Sequence, residues 1–92
     1  MLLTKNLVIE KIHLVIFTFE NKGDILPEHT HGKNDVHISI VARGSFLVTG
    51  PDIPDNTIIK AGQMLDWLPG VYHQFEALED NSRLFNIIKN PL

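Results

Sequence analysis

The sequence contains no cysteine. Disulfides, thiolate zinc sites, iron–sulfur clusters and cysteine nucleophiles are therefore excluded. Long apolar runs are also missing. The longest all-apolar run in the N-terminal region is Leu14–Phe17, far short of the ~20 residues that span a bilayer. Lys5, Glu10 and Lys11 interrupt the first stretch, which makes it a poor signal peptide. The expectation is a soluble cytoplasmic protein with no membrane partner. Basic clusters are absent as well. Eight Lys and Arg, scattered from Lys5 to Lys89, stand against eleven Asp and Glu, for a net charge of −3. Nothing here attracts nucleic acid electrostatically. No repeat, low-complexity tract or linker divides the chain, and its 92 residues read as one small domain spanning 1–92. Hydrophobic residues at 43% and charged residues at 21% exclude disorder and collagen-like structure.

A sustained 3.6-residue apolar period is lacking too, so helix is minor or absent. What is present is a series of short β-prone runs parted by Gly, Pro, Asn and Asp. Ile12–Glu20, Val36–Ala42, Ser45–Thr49, Thr57–Lys60, Met64–Leu68, Val71–Leu78 and Arg83–Lys89 read as strands, with Gly23–Pro27 and Gly50–Asn56 as punctuation. About eight strands with turn signals every 6–12 residues predict an all-β barrel or sandwich. Ile12–Phe19 is apolar on both faces: Ile12, Leu14 and Ile16 on one, Val15, Phe17 and Phe19 on the other. An uncovered strand of that kind is an aggregation hazard. Either Leu2–Ile9 folds back over its outer face or a second copy of the chain covers it, which makes a homodimer the expected assembly.

Five histidines are the other conspicuous count. His29-Thr30-His31 places two imidazoles at i and i+2, on one face of an extended segment. By itself that spacing is a weak signal. The pattern around it strengthens it. His37 alternates with Val36, Ile38 and Ile40, and His73 shares a face with Val71, Phe75 and Ala77. Imidazoles on an inner face must be hydrogen-bonded or coordinated, and one shared metal ion would satisfy several together.

Two stretches carry a family resemblance. Gly23, five residues, His29-Thr30-His31 and then Gly44 resemble the first cupin motif, over about 23–44. Gly62, five residues, Leu68-Pro69-Gly70, two residues and His73 resemble the second, over about 62–77. Together they span just over half the chain. The resemblance, to small single-domain RmlC-like cupins of the cupin-2 type, implies a double-stranded β-helix: a jelly-roll barrel of two facing antiparallel sheets.

It also implies a mononuclear site for a divalent transition metal (Fe, Mn, Ni, Cu or Zn), ligated by His29, His31, His73 and a fourth residue. The motif's glutamate is missing. Counting back from Gly44 lands on His37, counting forward from His31 lands on Asp35, and strand register favours His37. The motif's proline is displaced to Pro69, and its late asparagine is Ala77. With four imidazoles the protein adds no charge, so the ion keeps its full positive charge toward anionic or enolate-like ligands.

Cupins include dioxygenases, isomerases, lyases and non-catalytic binders. The resemblance thus implies a metal-dependent enzyme on a small oxygenated organic substrate, or else a small-molecule-binding or regulatory protein with or without metal. Trp67, Tyr72 and Phe75 are candidate pocket walls, with core packing as the competing role for Trp67 and Tyr72. Asp66 is a candidate partner for a histidine N–H. Arg43 fits a turn, and His13 a surface or an interface. No Ser-His-Asp set, phosphate loop or dinucleotide fingerprint occurs, so any chemistry would centre on the ion.

Overall fold

The alternation of side chains along each short run decides the layers. The computed structural model describes residues 1–29, 36–68 and 70–89. Among them all regular structure is strand: β1 (Leu2–Ile9), β2 (Ile12–Phe19), β3 (Ile25–His29), β4 (Val36–Arg43), β5 (Ser45–Thr49), β6 (Thr57–Lys60), β7 (Met64–Trp67), β8 (His73–Ala77) and β9 (Ser82–Lys89). They form a five-stranded sheet, β1-β2-β9-β4-β7, and a four-stranded sheet, β3-β8-β5-β6. Every pairing is antiparallel. The expected all-β architecture of two facing antiparallel sheets is what the chain adopts.

The core lies between the sheets. Phe19, Val41 and Leu84 come from one, and Phe46, Val48 and Phe75 from the other, all fully buried. Phe46 sits at the centre, edge-on to Phe19 at 4.7 Å and to Phe75 at 6.1 Å between ring centres. Burying one such ring stabilises the fold by about 1.5–3 kcal/mol.

Two expectations need correction. Leu2–Ile9 does not fold over the outer face of Ile12–Phe19. It runs beside it as the sheet's edge strand, in register from Leu2 opposite Phe19 to Ile9 opposite Ile12. The two-residue loop Glu10-Lys11 is the reason: a hairpin that short returns the chain in the plane of the sheet. The segment at Gly23–Pro27, read as punctuation, also contains most of β3. Pro27 lacks an N–H, but β3 is an edge strand whose register shifts between Leu26 and His29. An edge and an irregularity are where a strand tolerates proline.

Gly44, between β4 and β5, has φ +81, and a Cβ there would run into the Ser82 side chain. Beside it the Arg43 guanidinium donates to Asn81, Nε to the main-chain oxygen at 2.8 Å and Nη2 to Oδ1 at 3.1 Å. This is the turn role expected of Arg43, and it ties the end of β4 to the start of β9. Gly62 has φ +90 but open space around the missing Cβ. Gly44→Ala should therefore destabilise the protein by about 2–4 kcal/mol and Gly62→Ala by only about 1 kcal/mol. Urea denaturation of the two variants checks the order.

Candidate functional site

β4 and β8 belong to opposite sheets, and each presents one histidine to the space between them. On β4 the inward residues are His37, Ser39 and Val41, all nearly inaccessible, while Ile38 and Ile40 face outward and are half-buried. The more polar face is the inner one. On β8, His73, Phe75 and Ala77 are completely buried. The rings of His37 and His73 lie 5.2 Å apart between centres, inclined at 37°.

The donor pattern of His73 is set by its surroundings. Its Nδ1 lies 3.1 Å from the carbonyl oxygen of Val71. A carbonyl only accepts, so Nδ1 carries the proton and donates. In the neutral ring Nε2 is then the nitrogen with a lone pair. An N–H anchored to a main-chain carbonyl is also the usual support of a metal-ligating imidazole.

Trp67 holds the ring from one side. Its indole stacks on His73 with ring centres 4.0 Å apart and an interplanar angle of 18°. Phe75 meets both rings edge-on, each at 5.8 Å. The indole is itself pinned: Nε1–H donates to Ser39 Oγ at 2.8 Å, and Ser39 Oγ–H donates to Asn86 Oδ1 at 2.6 Å. Ser39 and Asn86 are direct cross-strand partners on β4 and β9, and both are buried. Trp67 thus packs against the core and stacks on His73.

Of the four histidines named by the resemblance, the structure brings His37 and His73 together. The main chain of His29 pairs with that of His73 across β3 and β8. His31 and Asp35 lie outside the described residues. Among the described residues no group of three or more His, Cys, Asp or Glu is arranged to hold a metal ion. Phe75 is a buried member of the core, whereas Tyr72 is 48% exposed and so is not a core residue. Asp66 is not a partner for either histidine ring. It alternates with Trp67 and faces outward beside Ile38. His13 pairs at the surface, Nε2 donating to Asn6 Oδ1 at 2.8 Å.

Sequence reasoning missed Ser39 and Asn86. A signal existed for each. Ser39 shares parity with His37, and Asn86 is a lone polar residue within Leu84–Ile88.

With this geometry in place, comparison with solved structures is informative. KdgF from a Halomonas species superposes with a TM-score of 0.81 at 18% identity, covering 99% of this chain and 80% of that one. An RmlC-like cupin from Desulfovibrio desulfuricans gives 0.79 at 21% identity, with 99% and 84% covered. A double-stranded β-helix protein from Klebsiella pneumoniae gives 0.82 at 16% identity, with 97% and 76% covered. No protein-family model and no curated protein sequence matches the chain. At these identities the likeness is one of fold, and the fold is the double-stranded β-helix of the RmlC-like cupins.

The Trp67–Ser39–Asn86 chain can be tested directly. Ser39→Ala leaves a half-buried indole N–H and a buried amide oxygen without their shared hydroxyl. It should lower stability by about 1–3 kcal/mol and shift the emission of the single tryptophan. Urea denaturation followed by fluorescence reads both effects.

Proposed function

We propose that the chain is a single cupin domain, residues 1–92, that works as a homodimer. In this reading it holds one divalent transition ion (Fe, Mn, Ni, Cu or Zn) between its sheets through His29, His31, His37 and His73. It acts there on a small oxygenated organic molecule that binds by chelation. The observation that carries the reading is the pair of buried imidazoles, His37 and His73, facing each other from opposite sheets at 5.2 Å. Two imidazoles bound to one ion at ~2.1 Å place their ring centres about 4.5–5.3 Å apart for angles near 90–110°. The pair fits that spacing. The main-chain pairing of His29 with His73 brings His29 to the same end of the barrel.

When bound, such an ion would supply Lewis acidity toward a carbonyl or carboxylate oxygen, undiminished by any protein charge. The chain's own residues do the rest. Val71 fixes the His73 tautomer through its carbonyl. Trp67 and Phe75 close one side with apolar surface, which excludes water and strengthens electrostatic interactions within. Tyr72, exposed next to His73, is placed to meet a ligand from outside.

One observation favours the second reading, a binder without turnover. The buried polar side chains among the described residues are His37, Ser39, Ser45, His73, Ser82 and Asn86. None is a carboxylate or a lysine, so beyond the imidazoles that interior offers no group for proton transfer.

Elemental analysis of protein purified without chelator or metal-binding tag should find close to one equivalent of transition metal per chain. His37→Ala and His73→Ala should each reduce it by tenfold or more, and Asp35→Ala far less. Folded protein that takes up none of the five metals would overturn the metal-dependent reading. Diketones, keto-acids and sugar acids offered to the loaded protein separate the two readings, since consumption marks the enzyme and binding alone the binder.

A further inference from the structure

The torsion that turns an imidazole about its Cβ–Cγ bond has only broad minima. A buried histidine therefore owes the direction of its ring to what touches it. His73 has two such contacts, of different kinds. The Val71 carbonyl accepts from its Nδ1–H, which fixes one edge of the ring. The Trp67 indole lies nearly flat against it, 4.0 Å between centres at 18°, which fixes the plane. Trp67 is also the cross-strand partner of His37, with ring centres 6.2 Å apart at 30°. One indole thus stands beside both histidines of the pair.

Trp67 has little backbone support of its own. It ends β7, a four-residue strand at the edge of its sheet, and is half-buried. What holds it is the bond from Nε1–H to Ser39 Oγ and, behind that, the bond from Ser39 to Asn86. The direction of this chain is forced. An indole nitrogen only donates and an amide oxygen only accepts. The single hydroxyl proton therefore points to Asn86, and the hydroxyl lone pairs turn to Trp67. Each bond polarises the next. Ser39 and Asn86 lie on β4 and β9, inside the sheet rather than at its edge, and both are buried. Strand register requires these two to meet each other. It does not require the hydroxyl to hold an indole as well, and that further bond turns the face of Trp67 onto His73.

We infer that Ser39 and Asn86 are positioning residues of the proposed metal centre, acting through Trp67 to hold the His73 ring in its ligating orientation. The inference rests on the histidine site proposed above and adds to it residues that are not ligands. A ring restrained before the ion arrives loses no further freedom on binding it. Outer partners of this kind are commonly worth about 10–100-fold in metal affinity.

A double-mutant cycle on metal affinity tests this. Zn2+ is the probe, because an imidazole site that takes iron or manganese takes zinc more tightly. It is titrated into metal-free protein against a competing chelator. Ser39→Ala should weaken Zn2+ binding about tenfold. Trp67→Phe, which keeps a ring but has no N–H to hold, should weaken it by about the same factor. The two combined should weaken it no more than Trp67→Phe alone. Ile59→Val, a core change on β6, is the control: it lowers stability and should leave the affinity unchanged. A second measurement needs no metal. In the proton NMR spectrum the His73 ring protons, which face the indole, should lie upfield in the wild type and move back in Ser39→Ala. Where Ser39→Ala fails to fold, Trp67→Phe decides by its own Zn2+ affinity. Wild-type protein that binds Zn2+ no better than His73→Ala overturns the metal reading itself. Full affinity in folded Ser39→Ala or in Trp67→Phe overturns the positioning role. So does a tenfold loss from Ser39→Ala that persists in the Trp67→Phe background, or an equal loss in Ile59→Val. Unmoved His73 ring protons in Ser39→Ala overturn it as well.

Discussion

The structure depends on the register of β9 between β2 and β4. Both β4 and β9 carry apolar residues on each face, so burial alone does not choose which face turns inward. The choice is made where polar groups meet. Ser39 opposite Asn86 places a hydroxyl against an amide oxygen at 2.6 Å, and the Trp67 N–H completes the set. Shifting either strand by one residue would turn every side chain to the opposite face. His37 would leave the interior, and Ser39 and Asn86 would exchange a mutual bond for solvent. Buried polar groups stabilise a fold only when paired, and this pairing holds in one register alone.

From that register the remaining features follow in order. His37 is carried inward on β4 and meets His73 from the opposite sheet. Trp67, the cross-strand partner of His37, is brought over the His73 ring and held there by Ser39. Trp67 and Phe75 pack about the His73 ring, and the Val71 carbonyl sets its tautomer. The same alternation directs Ile38, Ile40, Phe85 and Ile87 outward, which produces the apolar face on the far side of the sheet. Site and surface are two consequences of one strand parity.

Most of the strands were legible from composition and turn residues, because β-branched and aromatic runs bounded by Gly, Asn and Asp leave little else to form. β3 was hidden by Pro27, whose meaning depends on whether a strand lies at an edge, and edges belong to sheet order rather than to local sequence. The doubled apolar character of Ile12–Phe19 was plain, but the placement of Leu2–Ile9 was not. A segment that covers a face and one that extends a sheet share the same composition, and only the hairpin decides between them. At the site, the alternation placed His37 with Ser39 and His73 with Phe75. The outward side of Asp66 and the exposure of Tyr72 were not legible, since the parity of a four-residue strand and the exposure of a loop residue depend on neighbours far along the chain.

By itself the sequence determined that the chain is all-β, carries no thiol chemistry, and concentrates its imidazoles in two motif-like segments. These are matters of residue type and local spacing. The tertiary structure decided which faces are inner, that His37 and His73 confront each other, and that Trp67, Ser39 and Asn86 support them. The reason is that pairing between neighbouring strands joins residues such as Ser39 and Asn86, 47 positions apart in the chain, and no local pattern encodes that distance.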